Sequence, residues 1–315
     1  MNNYFEESRK KYEITLNKTD YMKNIHNKIM DYKQLSNFIE NSMIDKVVID
    51  RTGIYIILNE EYYNIKLYIN DNDFEEVPIS ILSFDRYEQK ELKMVNKILD
   101  IYEKKDITVF DIGSNIGWYS LNLLKKYKNI NIFSFEPSPV TFKRIKRNFE
   151  LNEFNTDKIF NIGFFNENSK LDFYYDKEGS GASSLVNLRE RESVKKISVE
   201  MAKIDDFVEM NNISNIDFIK CDVEGAELFV YQGGKKVIEE SKPIIFSEML
   251  RKWSAKFGYH PNDIINFMKE IGYQCYTITD NYKLRKIEEV TEKTVETNYF
   301  FLHKEKHTEI IEQLV

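Results

Sequence analysis

At 315 residues, with 42% hydrophobic and 14% aromatic side chains, the chain can bury a full core and is not generally disordered. Its 52 acids against 45 bases leave a formal charge of -7, which weighs against a general nucleic-acid binder. The two cysteines, Cys221 and Cys275, lie far apart without a CxxC partner, so neither a disulfide framework nor a thiolate metal site is expected.

In chain order, the opening stretch MNNYFEESRKKYEI has no apolar signal core, and no apolar run approaches membrane-spanning length. A soluble, cytoplasmic protein without membrane insertion is the expectation. Residues 1–45 are polar and weakly helical. Over 45–69, β-branched and aromatic runs broken by Arg-Thr-Gly and Asn-Glu-Glu turns predict strands. Apolar residues at helical spacing (Met94, Ile98, Leu99, Tyr102) predict a helix within 75–105.

The rhythm then changes to strand-helix alternation. ITVFDI is a strand, IGWYSLNLLKKY a helix, NIFSFEP a strand, PVTFKRIKRNFELN a helix and KIFNIGF a strand. Two extended pieces, near 171–176 and 197–201, flank a loop, GSGASSL (179–185), which suits either a closing segment or an ordinary turn. IDFIKCDVEG is a strand leading into a helix through Val230. PIIFSEM, YQCYTI and TNYFFLH are further strands, with a helix over PNDIINFMKEIG. Such alternation builds an α/β fold with a parallel sheet and helices on both faces, and ligands gather at the carboxyl ends of its strands. The economical division is an N-terminal extension over 1–90, helical and then hairpin-like, and a main domain over 91–315.

DIGSNIG sits at the first such carboxyl end. Gly113 and Gly117 give Asp-x-Gly-x-x-x-Gly, not the Gly-x-Gly-x-x-Gly that suits a pyrophosphate. The turn lets a ligand press against bare backbone, and Ser114 or Asn115 can cap the following helix. Glu136, at the end of the next strand, can accept hydrogen bonds from both hydroxyls of a ribose. A ribose at Glu136 with a small polar group over the glycine turn describes S-adenosylmethionine.

TVFDIGSNIGWYSL followed by FSFEPSP resembles the FkbM family of S-adenosylmethionine-dependent methyltransferases. The resemblance continues through MAKIDDFV (201–208), IDFIKCDVEGAELFVYQGG (216–234) and GYHPNDIINFMKEIGYQCY (258–276). It implies a seven-stranded Rossmann-like class I methyltransferase sheet, its last strand antiparallel beside its neighbour. It also implies O-methylation, commonly of a sugar hydroxyl in a polysaccharide, glycolipid or natural product, with a sugar or nucleotide-sugar partner. By position, Asp111, Gly113 and Gly117 match the cofactor turn and Glu136 the ribose acid. Ser114 and Asn115 become contacts to the methionine portion, and 161–164 the candidate adenine segment. A homo-oligomer remains open, and the alternatives are an NAD-type oxidoreductase on a related α/β fold or a methyltransferase acting on a non-sugar natural-product hydroxyl.

Methyl transfer to a hydroxyl needs in-line positioning and removal of the hydroxyl proton, by a general base or through a bound metal. Lys220 and Asp222 lie two apart on one strand and point to the same side. Glu224 begins the next turn, and Glu248 ends the following strand. Asp222, Glu224 and Glu248 can form a carboxylate cluster for a hard metal such as Mg2+, or supply one base whose pKa the others raise. Lys220 reads as an ion-pair partner of Asp222 or as a base of lowered pKa, and Glu227 as a helix-terminal acid. His260, before Pro261, is a further candidate base. Lys143, Arg144, Lys146 and Arg147 form either a solvated helix face or an attractor for a phosphorylated substrate.

Overall fold

A computed structural model describes residues 4–33, 35–102 and 106–315. The N-terminal part comprises α1 (Tyr4–Thr15), α2 (Lys18–Lys33), α3 (Leu35–Ile39) and three strands. These are β1 (Ile44–Asp50), β2 (Gly53–Leu58) and β3 (Lys66–Tyr68), paired antiparallel in that order. Where the sequence suggests a hairpin, a third strand is added. The single helix expected over 75–105 is two, α4 (Val77–Phe84) and α5 (Gln89–Tyr102); 103–105 lie outside the described residues. Asp85 and Glu88 take left-handed backbone at φ 65° and 41°, and helical hydrogen bonding does not pass such residues. On α5, Leu92, Val95, Ile98 and Leu99 form the buried stripe.

The main domain continues through β4 (Ile107–Ile112), α6 (Trp118–Lys126), β5 (Ile130–Phe135), α7 (Pro139–Leu151), β6 (Ile159–Phe160) and β7 (Gly163–Phe164). Next come β8 (Ser169–Asp176), β9 (Val194–Ala202), α8 (Ile204–Met210), β10 (Phe218–Cys221), α9 (Glu227–Gly233) and α10 (Lys235–Ser241). The chain closes with β11 (Ile244–Glu248), α11 (Arg251–Ser254), α12 (Pro261–Glu270), β12 (Tyr273–Ile278), β13 (Leu284–Ile287), β14 (Asn298–His303) and α13 (Thr308–Leu314).

Among the described residues, the central sheet runs β13-β12-β14-β11-β10-β4-β5-β6. β6, β5, β4, β10 and β11 are mutually parallel, and β14 is antiparallel to both β11 and β12. This is the α/β sheet that the resemblance implies, with its antiparallel last strand. One strand exceeds the expected seven: β13, LRKI, lies at the sheet edge with Arg285 and Lys286 exposed, and so carries too little apolar signal to be read. KIFNIGF also splits. β6 stays in the central sheet, whereas β7 crosses to a second sheet, β7-β9-β8, because Asn161 turns its amide back onto the Glu136 and Pro137 carbonyls (2.9 Å each).

Side chains alternate between two apolar layers. Val109 faces the layer under α5, α6 and α7, while Phe110 and Ile112 face the layer under α8, α9 and α12. The small N-terminal sheet joins the first layer through Ile56, Leu58 and Leu67. Its edge strand is bound to α7: Asn148 accepts from the Tyr68 amide (3.0 Å) and Asn152 from the Lys66 amide (2.9 Å). No helix among the described residues is long and apolar enough to cross a membrane.

Candidate active site

A cavity of about 900 Å³, counting its open mouth, lies at the carboxyl ends of β4, β5, β10 and β11. β4 has β5 on one side and β10 on the other, so this is the point where the strand order reverses and α/β sheets bind ligands. The second sheet and the 180–185 loop form its other wall.

The glycine turn has a reason internal to the protein. Gly113 (φ 70°) brings its Cα so near β10 that a Cβ would stand 1.8 Å from the Asp222 carbonyl oxygen. Gly117 (φ 89°) faces Ile145 and Phe149 of α7, not the cavity. Both positions combine left-handed backbone with close approach, which only glycine tolerates well. Gly113 and Asn115 line the cavity; Asp111, Ser114 and Gly117 stand behind it. Asp111 is buried and accepts from the Ser120 amide (3.2 Å) and hydroxyl, satisfying an orphan donor in the first turn of α6. Ser114 sends its hydroxyl to the Phe135 carbonyl (3.2 Å), and no side chain caps Gly117, so the capping expected of Ser114 or Asn115 is absent.

Glu136 lines the cavity at the end of β5 and is 6% exposed. One carboxylate oxygen accepts from the Asn115 amide (3.1 Å), the other from the Ser138 amide (2.9 Å). Burial pushes its carboxyl up to about 7 in spite of those amides. Each oxygen keeps a second lone pair for a ligand hydroxyl. The Asn115 side-chain oxygen beside it is buried without a partner. In the 161–164 segment, Gly163 and Phe164 line the cavity, while the Asn161 amide is spent on backbone.

The acids gather at the other end. Asp222, Glu224 and Glu248 offer oxygens that all lie within 4.8 Å of one another. Burial, then the neighbouring Asp222 charge, raises the Glu224 and Glu248 carboxyls well above the usual range. Glu224 carries left-handed backbone (φ 55°), and one of its oxygens is buried without a partner. Lys220 lies beneath, its ammonium 3.2 Å from Asp222, 3.8 Å from Asp111 and donating to the Gly113 carbonyl (2.7 Å). Burial opposes that charge, yet Asp222, Asp111 and Glu88 hold it firmly protonated. Lys220 is thus the tie between glycine turn and acid cluster.

Two further placements differ from the sequence expectation. His260 is exposed and away from the cavity; its Nδ1 accepts from the Asn262 amide (3.2 Å) and caps α12. Of the four bases on α7, Arg144 is tied to Asp73 (2.6 Å) and Arg147 to the Thr52 carbonyl, whereas Lys143 stays exposed, so they do not act as one basic face. Glu227 accepts from the Val223 and Gly225 amides (3.2 and 3.0 Å) and holds the turn. The sequence missed Glu88, which lines the cavity from the α4–α5 junction, its carboxyl raised to about 7 by burial and by Asp222. An acid just ahead of an amphipathic helix looks like any helix-terminal acid, so no local signal marks it.

The family model of the methyltransferase FkbM domain matches residues 111–275, more than half of the chain. The chain belongs to the FkbM methyltransferases. The matched span begins at Asp111 and includes the glycine turn, Glu136 and the acid cluster, but not Glu88. The 2-O-methyltransferase NoeI of Sinorhizobium fredii is 29% identical over 170 residues, covering 50% of this chain and 69% of that protein. The hexuronic acid methyltransferase AglP of Haloferax volcanii is 25% identical over 180 residues, covering 57% and 68%. A crystal structure of an FkbM methyltransferase from Methylobacillus flagellatus KT is 17% identical with a TM-score of 0.40, covering 62% of this chain and 43% of that one.

Proposed function

We propose that this methyltransferase takes its methyl group from S-adenosylmethionine and delivers it to a hydroxyl of a sugar or glycan precursor. The observation carrying the reading is one cavity with an amide-held carboxylate, Glu136, at one end and four carboxylates at the other. Glu136 suits the two hydroxyls of a ribose, and the unpartnered Asn115 oxygen suits an ammonium or hydroxyl donor. The carboxylates at the far end favour a nearby positive charge. When bound, the donor supplies an activated methyl on a cationic sulfur.

The protein's own part is to orient the acceptor and take its proton. Glu224 and Glu248, whose carboxyls burial and the Asp222 charge raise well above the usual range, are the proposed bases, with Asp222 and Glu88 beside them. The same oxygen-only set suits a hard divalent cation such as Mg2+. O-methylation accords with the name of the 2-O-methyltransferase NoeI, and a sugar-type acceptor with that of the hexuronic acid methyltransferase AglP. Among the described residues that line the cavity, five are acids and none is a lysine, arginine or histidine. A neutral acceptor ring fits that lining better than a uronate or a phosphorylated sugar.

Calorimetry with S-adenosylhomocysteine tests the donor, using wild type, Glu136→Ala and NAD as the competing ligand. Binding that Glu136→Ala abolishes, with none for NAD, is the expected result. Preferential retention of NAD would restore the oxidoreductase alternative. Methyl transfer to matched neutral and anionic glycosides, with and without Mg2+, then tests acceptor and metal; transfer only to non-sugar hydroxyls would overturn the sugar reading.

A further inference from the structure

Residues 73–76, ahead of the matched methyltransferase domain, grip the loop that walls the cavity. Asp73 has no exposed side-chain surface, and its carboxylate lies 2.6 Å from the guanidinium of Arg144, itself 13% exposed. The same carboxylate accepts from the Ser180 amide at 3.3 Å. The Phe74 amide donates to the Glu178 carbonyl (2.9 Å), and Glu75 pairs with Arg189 and Arg191. Gly179 fits between these partners: a Cβ there would meet the Arg189 guanidinium at 2.7 Å and the Glu75 carboxylate at 2.9 Å. Glu76 fixes the segment by accepting from the Asn70 amide (2.6 Å).

The gripped loop reaches the donor end of the cavity. Ser180, Gly181 and Ser183 line it, and a Cβ on Gly181 would stand 3.7 Å from the Asn115 side-chain nitrogen, Nδ2. Beyond them Ser184 donates its hydroxyl to the Glu224 carbonyl (2.8 Å). The loop is therefore anchored at both banks, by Asp73 and Arg144 beside β5 and by Glu224 beyond β10. A ligand lying between Glu136 and Glu224 has this strap across it.

We infer that Asp73 is a positioning residue of the donor site: segment 73–75 holds loop 178–185 across the cavity and thereby sets how fast a bound ligand leaves. The inference rests on the reading of the cavity as the S-adenosylmethionine site. A buried carboxylate shared by a guanidinium and a backbone amide costs desolvation, and such a group is better suited to fixing one arrangement than to adding stability. Bonds from the strap to the ligand are not required. Only the closed position is.

The test uses the full chain, wild type against Asp73→Asn and Glu75→Gln. The readouts are S-adenosylhomocysteine affinity and dissociation rate, hydrogen exchange of the 177–185 peptide, and melting temperature without ligand. Asp73→Asn keeps an acceptor for Ser180 but removes the charge facing Arg144. It is expected to raise Kd and dissociation rate about tenfold, with faster exchange confined to the loop. Glu75→Gln, at the exposed end, is expected to change both about two- to threefold. Unchanged affinity and loop exchange in folded variants would overturn the inference, as would faster exchange spread evenly with a lowered melting temperature. If Asp73→Asn does not fold, Glu75→Gln decides alone. Should wild type fail to bind S-adenosylhomocysteine while loop exchange still rises in the variants, the donor reading falls and the strap stands.

Discussion

The two ends of the cavity hold carboxylates in opposite ways. Glu136 has a backbone amide on each oxygen, a rigid acceptor built from backbone. Glu224 and Glu248 crowd Asp222, and the ammonium of Lys220 beneath them serves Asp111 as well. On the proposed reading, the first arrangement holds a ligand by fixed acceptors, and the second sets carboxylates against one another where a proton leaves. In that proposal, binding and chemistry fall to carboxylates that differ in their neighbours, not in residue type.

Exchanging the two roles is the sharpest way to break this contrast. Glu248→Gln should lower kcat by about 10²- to 10⁴-fold while S-adenosylhomocysteine affinity stays within a few-fold. Glu136→Ala should do the reverse, weakening that affinity by about 100-fold through two lost charged hydrogen bonds. Steady-state kinetics beside calorimetry separates them; equal losses in both quantities for both variants would erase the distinction. Lys220→Met comes next. Stripping the shared ammonium leaves Asp111 and Asp222 without their cation, and denaturant unfolding should report a loss of about 3–5 kcal/mol.

The pH dependence of stability is a milder probe of the same burial. Glu88, Glu136 and Glu227 all rise from the ordinary 4.5 to about 7, burial being the first cause in each. Between those values the folded state holds protons that the unfolded chain has released. Their contribution is complete below the unfolded value of 4.5 and is lost as pH rises through about 7. The melting temperature of the ligand-free protein should therefore fall from about pH 5.5 to about pH 8. A flat profile would mean these carboxyls are better solvated than their burial implies. The smallest effect belongs to His260→Ala: about 1 kcal/mol from a lost helix cap, with turnover unchanged. A large loss of kcat there would bring His260 back as a base.

Much of the main domain was legible because strand and helix periods are written locally. β4, β5, β10, β11 and β14 are apolar runs ending in an acid, a glycine or a turn, and the element order carries the sheet with it. β13 was not, because an edge strand with two exposed bases lacks a buried face to announce it. The break between β6 and β7 turns on the Asn161 side chain reaching two carbonyls, a contact that sequence spacing does not encode.

The candidate site divides the same way. Sequence alone placed Gly113, Glu136, Asp222, Glu224 and Glu248 at strand ends, since residues at the carboxyl end of a parallel strand share one rim. Tertiary structure alone moved Asp111 behind that rim as a helix cap, turned Arg144 from the surface onto Asp73, and took His260 out of reach. It alone brought in Glu88 from ahead of the matched domain and laid loop 178–185 under Asp73. Period and strand order are local or repetitive properties of the chain. Which buried charge meets which partner depends on contacts between residues 40 to more than 130 positions apart, and only the packed fold sets those.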